Sequence, residues 1–150
     1  MKLDFEKIEA LKQLLSQPKK VVILSHTNPD GDAIGSSLAI AEVLKAQGHT
    51  VHCILPNRFP YYLKWMPKSD ELIIHAQDKI GIAQSVIAAA EVVICADMSS
   101  LSRLEALSEV IAQNNHAKRI LIDHHLSPSD EFDLVFSFPE SSSTAYLVYE

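Results

Sequence analysis

Short runs rich in Val and Ile recur along the chain at 21–24, 51–55, 71–74, 92–96 and 120–122. Apolar runs of this length, broken at most by one polar residue such as His52 or Glu71, are expected of strands buried on both faces. Between most of them the apolar positions return every three or four residues. Ile34, Leu38, Ala41, Val43 and Leu44 do so within 33–47, and Leu101, Leu104, Leu107, Val110 and Ile111 within 101–113, which predicts helices. Strand and helix in alternation predict βαβ units, and hence an α/β fold with a mainly parallel sheet flanked by helices. The remaining signals fit that plan. "MKLDFEKIEALKQLLSQ" reads as an amphipathic helix rather than a signal peptide, Gly48 as the C-cap of the helix before it, and Leu134-Val135-Phe136 as a weaker strand. "LPNRFPYYLKWMPK" predicts a loop carrying a short helix, and "SSSTAYLVYE" opens a further helix.

At 150 residues and 47% hydrophobic, one domain with a substantial core is expected. The longest membrane-span candidate, 81–96, is interrupted by Gln84 and Glu91, so a soluble, cytoplasmic protein is expected. Cys53 and Cys95, the only cysteines, sit in apolar runs, which excludes a CxxC metal or redox pair and predicts buried, reduced thiols. The net charge of −6 argues against a long duplex-tracking surface.

Chemistry gathers at the ends of the predicted strands. In parallel α/β sheets ligands bind beyond the carboxyl ends of the strands, where the βα loops open. Strand 21–24 is followed by His26, Asp30 and Asp32, strand 92–96 by Asp97, and strand 120–122 by Asp123, His124 and His125. A single Asp at such a turn ordinarily caps the next helix: Asp30 or Asp32 the one beginning near Ala33, Asp97 the segment near Ser99. Four Asp and three His at one edge exceed what capping requires, and four carboxylates would repel without compensation. Two divalent cations would supply it. Carboxylates with some imidazole and no thiolate suit manganese or magnesium better than zinc, and two such ions can clamp a phosphate and share an activated water. Asp97, on the central loop, is the natural bridge.

"HTNPDGDAIGS", the Asp97 strand end and "DHH" at 123–125 resemble, in order and strand context, the first three motifs of the DHH phosphoesterases. The chain is most similar there to the bacterial oligoribonuclease/PAP phosphatases (nanoRNases, also labelled exopolyphosphatase-related), relatives of the RecJ exonucleases. The resemblance runs from about Lys20 onward and implies a Rossmann-like DHH domain over 1–150. It further implies that His26, Asp30 and Asp97 hold one Mn²⁺, and that Asp32, Asp97 and His124 hold the second. His125 would face the scissile phosphate, and Asp123 would orient the histidines. The family's next motif resembles Ser-Ser-Thr-x-Glu, whereas Tyr146 occupies the Glu position here. That costs part of a capping box, and no chemistry is expected of Ser142, Ser143 or Thr144. The family also carries a further metal-binding Asp and a glycine-rich DHHA1 domain downstream. All four glycines here precede the DHH triplet, so the chain is expected to be the metal-bearing part of a longer enzyme.

The remaining histidines, His49, His52, His75 and His116, are expected to pack at the surface or at strand edges. "NRFPYYLKWMP" is expected to form a local hydrophobic loop cluster, with base stacking through its aromatics, Arg58 and Lys64 as the alternative. The activity implied is Mn²⁺-dependent hydrolysis of short single-stranded RNA to mononucleotides and of 3'-phosphoadenosine 5'-phosphate (pAp) to AMP, by a protein that the family resemblance implies is a homodimer. Cyclic-dinucleotide or pApA hydrolysis, single-strand 5' exonuclease action and polyphosphate or pyrophosphate cleavage are the alternatives within the superfamily. A nucleotide-sensing module is the alternative outside it, opposed by the lack of a GxGxxG loop and by acidic strand ends.

Overall fold

The computed structural model describes residues 4–150. The chain runs α1 (Phe5–Leu14), β1 (Lys20–Leu24), α2 (Gly31–Ala46), β2 (Thr50–Leu55), β3 (Ile73–Ile74), α3 (Ile82–Ala89), β4 (Val92–Ala96), α4 (Ala106–Gln113), β5 (Lys118–Asp123), β6 (Leu134–Ser137) and α5 (Thr144–Tyr149). All six strands are parallel, in the order β3-β2-β1-β4-β5-β6. The α/β architecture expected from the pattern is the one observed. Chain order reverses between β1 and β4, which opens a crevice at their carboxyl ends.

Both faces of the sheet are covered, so its central strands alternate between two cores. Val21, Ile23, Val92, Ile94 and Ala96 pack with residues of α1, α2 and α5 on one side. Val22, Leu24, Val93 and Cys95 pack with Ala83 and Ile87 of α3 and Leu107 and Ile111 of α4 on the other. Because neither face is wet, the strands read as continuous apolar runs rather than as an alternation. Cys53 and Cys95 are buried free thiols. Burial pushes the Cys53 thiol up to about 12 and the Cys95 thiol higher still. No helix among the described residues is long and apolar enough to cross a membrane.

The longest helix has clear stops. The Asp30 side chain accepts from the backbone N–H groups of Asp32 and Ala33 at 2.9 and 3.0 Å, an N-cap. At the far end Gly48 takes φ +91°, and the N–H of His49 reaches back to Leu44 O at 3.1 Å. That left-handed turn favours glycine.

Two predicted elements come out shorter. Of the run 71–74 only Ile73 and Ile74 pair with β2. Ser69–Glu71 instead forms a 3-10 turn that aims Glu71 at Lys45 and Lys68, at 2.6 and 3.0 Å. The helix expected over 101–113 is a 3-10 turn, Leu101–Leu104, followed by α4. Glu105, at φ +50° and ψ −121°, breaks the two apart. The cause lies across the chain: the Arg103 carbonyl, which would continue the helix, accepts from Thr27 N at 2.9 Å. The loop after β4 is thereby tied to the loop after β1.

Candidate metal centre

β1 and β4 end side by side, and the Ser25 hydroxyl donates to Ala96 O at 3.0 Å, fixing the two strand ends together. The next residue of each chain segment carries chemistry. His26, nearly buried, shares its Nδ1 with the Thr27 carbonyl at 2.8 Å. A carbonyl can only accept, so Nδ1 bears the proton and Nε2 is left facing Asp97 Oδ2, 3.7 Å away. Asp97 is 2% exposed, adopts φ +63°, and donates its N–H to Ile122 O at 3.0 Å. A non-glycine residue held in the left-handed region marks a position where geometry outweighs local strain. Asp97 therefore caps no helix; its carboxylate points along the crevice.

β5 delivers the third loop. Asp123 is fully buried, and its Oδ1 accepts from His125 Nδ1 at 2.7 Å. His124 directs Nδ1 at Ser141 O, 3.3 Å away, and Nε2 at Asp97 Oδ1 and Asp32 Oδ2, at 3.5 and 3.6 Å. All three histidines thus engage a protein oxygen through Nδ1, the arrangement that fixes ring and tautomer in metal-binding imidazoles.

Two groups of potential ligands converge, each with ligand atoms within 4.8 Å of one another: His26, Asp30 and Asp97, and Asp97, His124 and His125. Asp97 belongs to both. Asp30 is at once a cap and a member of the first group, and both of its capping bonds fall on Oδ1. Asp32 borders the second group without converging on it. Its two oxygens accept from the N–H groups of Thr144 and Ala145, each at 2.8 Å.

Thr144 is the residue that the sequence reading left out. Its hydroxyl, fully buried, donates to Asp97 Oδ1 at 2.9 Å, so one residue steadies two of the carboxylates. Ser143 is the N-cap of α5 and accepts from Tyr146 N at 3.1 Å. That is the half of a capping box that survives with Tyr in the Glu position. The "SST" of the fourth motif was the available signal, obscured because a helix cap accounts for it equally well.

Electrostatics suit a cation. Among the described residues no Lys or Arg pairs with Asp30, Asp32, Asp97 or Asp123. Burial drives Asp32 up, aided by Asp97 and opposed by the Ala145 and Thr144 N–H groups. Burial acts the same way on Asp97 but is outweighed by His26, Thr144 and His125, leaving its carboxyl below the usual range. The Asp97 carboxylate facing the ring, working against burial, raises His26. Buried carboxylates compensated only by imidazole form a hard-oxygen and nitrogen donor set that fits divalent manganese or magnesium. A cleft of about 550 Å³ between α3 and α4 contains none of these residues.

Residues 20–150 match the DHH family, N-terminal domain. The chain belongs to the DHH family. A bifunctional oligoribonuclease and PAP phosphatase NrnA from Mycoplasma genitalium is 28% identical over 142 residues, 93% of this chain and 39% of that protein. Its namesake from Thermus thermophilus is 35% identical over 68 residues, 45% of this chain and 20% of that protein. The crystal structure of an exopolyphosphatase-related protein from Bacteroides fragilis superposes with a TM-score of 0.93 at 38% identity, covering 97% of this chain and 42% of that one. Exonuclease RecJ bound to manganese gives a TM-score of 0.56 at 18% identity, covering 99% and 36%, a likeness of fold. The DHH chain therefore spans well under half the length of these relatives.

Proposed function

We propose that this chain is the metal-bearing domain of a cytoplasmic, Mn²⁺-dependent phosphoesterase that cleaves short RNA oligonucleotides to mononucleotides and pAp to AMP. The observation that carries this reading is the pair of ligand groups sharing Asp97 at the topological switch point. The NrnA relatives, bifunctional oligoribonucleases and PAP phosphatases, support the choice of substrates. The family match to an N-terminal domain supports a substrate-gripping DHHA1 domain as the working counterpart.

In this reading His26, Asp30 and Asp97 hold one Mn²⁺, and Asp97 and His124, with Asp32, hold the second. Two such ions would activate a water and neutralise the phosphate. The chain's own residues do the rest. Thr27 O and Ser141 O orient His26 and His124, so that both imidazoles present Nε2 to the crevice. Asp123 holds His125 through Nδ1, which leaves Nε2, when the ring is protonated on both nitrogens, to donate to a phosphate oxygen. His125 also converges with Asp97 and His124, approaching Asp97 through Nδ1 at 3.9 Å, which supports a second assignment in which Nδ1 exchanges Asp123 for the ion and His125 rather than Asp32 completes the second metal. A Mn²⁺ titration of His125→Ala and Asp32→Asn separates the two, because only the residue that is a ligand weakens one of two binding events.

The function is tested by giving the protein Mn²⁺ with an RNA dinucleotide, pAp or pyrophosphate, and identifying the products. Mononucleotide from the first and phosphate from the second are expected, and both should vanish with Asp97→Asn while the melting transition is retained. Turnover that survives Asp97→Asn, or cleavage confined to pyrophosphate, overturns the reading.

A further inference from the structure

The loop after β2 runs "PNRFPYYLKWMPK" from Pro56 to Lys68. It holds three basic residues and no acidic one in a chain of net charge −6, and it contains the only Trp. Its apolar half is anchored. Leu63 is buried, Phe59 and Met66 pack against the core beneath, and Ser69 Oγ donates to Lys64 O at 3.0 Å. The other half faces out: Tyr61, Tyr62 and Trp65 are 81%, 71% and 74% exposed. The local hydrophobic cluster expected of this segment is thus only half realised, and its largest rings stand in solvent on a fixed base.

The loop is also built against the metal edge. Asn28 N donates to Asn57 Oδ1 at 2.7 Å, and Asn57 Nδ2 donates to Asn28 Oδ1 at 2.6 Å. Asn28 lies two residues from both His26 and Asp30. Leu63 touches the start of α2, where its Cδ2 would sit 3.8 Å from a Cβ on Gly31. Beside the rings a cleft of about 460 Å³ is lined by Arg58, Phe59, Tyr61, Lys64 and Gln77, among others. Lys64 Nζ stands 5.0 Å from the centre of the Tyr61 ring, and the Gln77 amide oxygen accepts from the Arg58 guanidinium.

We propose that this loop is a nucleobase platform: bases flanking the scissile phosphate of a single-stranded oligonucleotide stack on Tyr61, Tyr62 and Trp65, while Arg58 and Lys64 meet its backbone phosphates. The position of the scissile phosphate rests on the phosphoesterase reading; binding at the platform does not. Exposed rings interleaved with cations are what a strand with alternating π-faces and negative charge requires. The backbone that carries the rings is anchored by Phe59, Leu63 and Met66, so the loop itself needs little ordering on binding.

The single Trp makes the test direct. Penta-adenylate titrated into metal-free protein at low salt quenches Trp65 fluorescence, and the apparent Kd weakens on the order of tenfold with Tyr61→Ala or Lys64→Ala. With Mn²⁺, the same variants raise KM for an RNA dinucleotide, change kcat little, and leave KM for pyrophosphate unaltered. Tripolyphosphate quenching Trp65 as strongly as penta-adenylate overturns the platform, because charge alone would then explain binding. So does a Trp65 blue shift on phosphatidylserine vesicles with no response to penta-adenylate, which would make the loop a lipid-surface contact. Turnover of dinucleotide and pAp with KM untouched in both variants removes the platform and leaves the phosphoesterase standing. Quenching without any hydrolysis does the reverse.

Discussion

Replacing Thr144 by Val removes one hydroxyl at constant shape, from a side chain with no exposure, and leaves Asp97 Oδ1 without its 2.9 Å donor. The backbone N–H of residue 144 still reaches Asp32, so α5 keeps its anchorage. A hydrogen bond to a charged group contributes about 1.5–3 kcal/mol, and the carboxylate left behind is buried, with the Thr144 hydroxyl among the groups that hold it ionised. In EDTA, Thr144→Val should therefore be less stable by about 2 kcal/mol, which for a chain of this size lowers Tm by roughly 4–8 °C. Thr144→Ser, which keeps the donor, should lose much less. If Asp97 is a metal ligand, the same change misaligns it and should weaken Mn²⁺ binding by roughly 10- to 100-fold. Calorimetric melting of the three proteins in EDTA, followed by Mn²⁺ titration, reads both effects. Equal Tm for wild type and Thr144→Val would refute the stabilising role. A lowered Tm with unchanged Mn²⁺ affinity would refute the link from Thr144 to the metal.

Glu105→Gly should raise stability by about 1 kcal/mol, measured by urea unfolding, because φ +50° with ψ −121° strains any side chain; a destabilised variant would mean that the Glu105 side chain holds the turn. Acid should weaken the fold below about pH 4.5. Glu71, held near 2 by Lys45 and Lys68, and Asp133, lowered by the Arg119 N–H and Lys118, are depressed in the folded state. Their contributions are complete above the unfolded carboxylate pKa and fade as pH falls toward the folded values. Urea midpoints at pH 7, 5, 4 and 3 should drop only over the last steps, and a fall beginning at pH 6 would point to histidines instead. Neither thiol should react with a disulfide reagent at pH 8.5 until the chain unfolds, since burial has pushed both far above that pH; prompt labelling would contradict the packing around Cys53 and Cys95.

What the sequence disclosed and what it concealed divide along a physical line. Strands buried on both faces leave long apolar runs, so β1, β2, β4 and β5 are visible in the pattern, and the polar residues after them mark the reactive edge without further help. Elements set by remote partners are hidden. Nothing near Leu101–Gln113 indicates that the Arg103 carbonyl is claimed by Thr27, and nothing near Glu71 indicates that its carboxylate meets Lys45, 26 positions earlier. The same holds within the site. His26 and Asp97 announce themselves, but that Asp32 is gripped by backbone 112 and 113 residues away is a property of the closed fold. The exposed rings of the loop after β2 belong to this class too, because an irregular loop has no period from which to read that Leu63 is buried while Tyr61, Tyr62 and Trp65 stand out.

The grip of residues 144 and 145 on Asp32 and Asp97 also bears on biogenesis. A ribosome releases the chain from its amino end, and the segments carrying His26, Asp30, Asp32 and Asp97 emerge before the segment that steadies the carboxylates. Until Thr144 has cleared the exit, Asp97 lacks its hydroxyl donor and Asp32 both of its amides. The nascent protein thus has these side chains in place before it has their finished geometry. The order of translation thus makes α5 the last piece of this cluster to arrive.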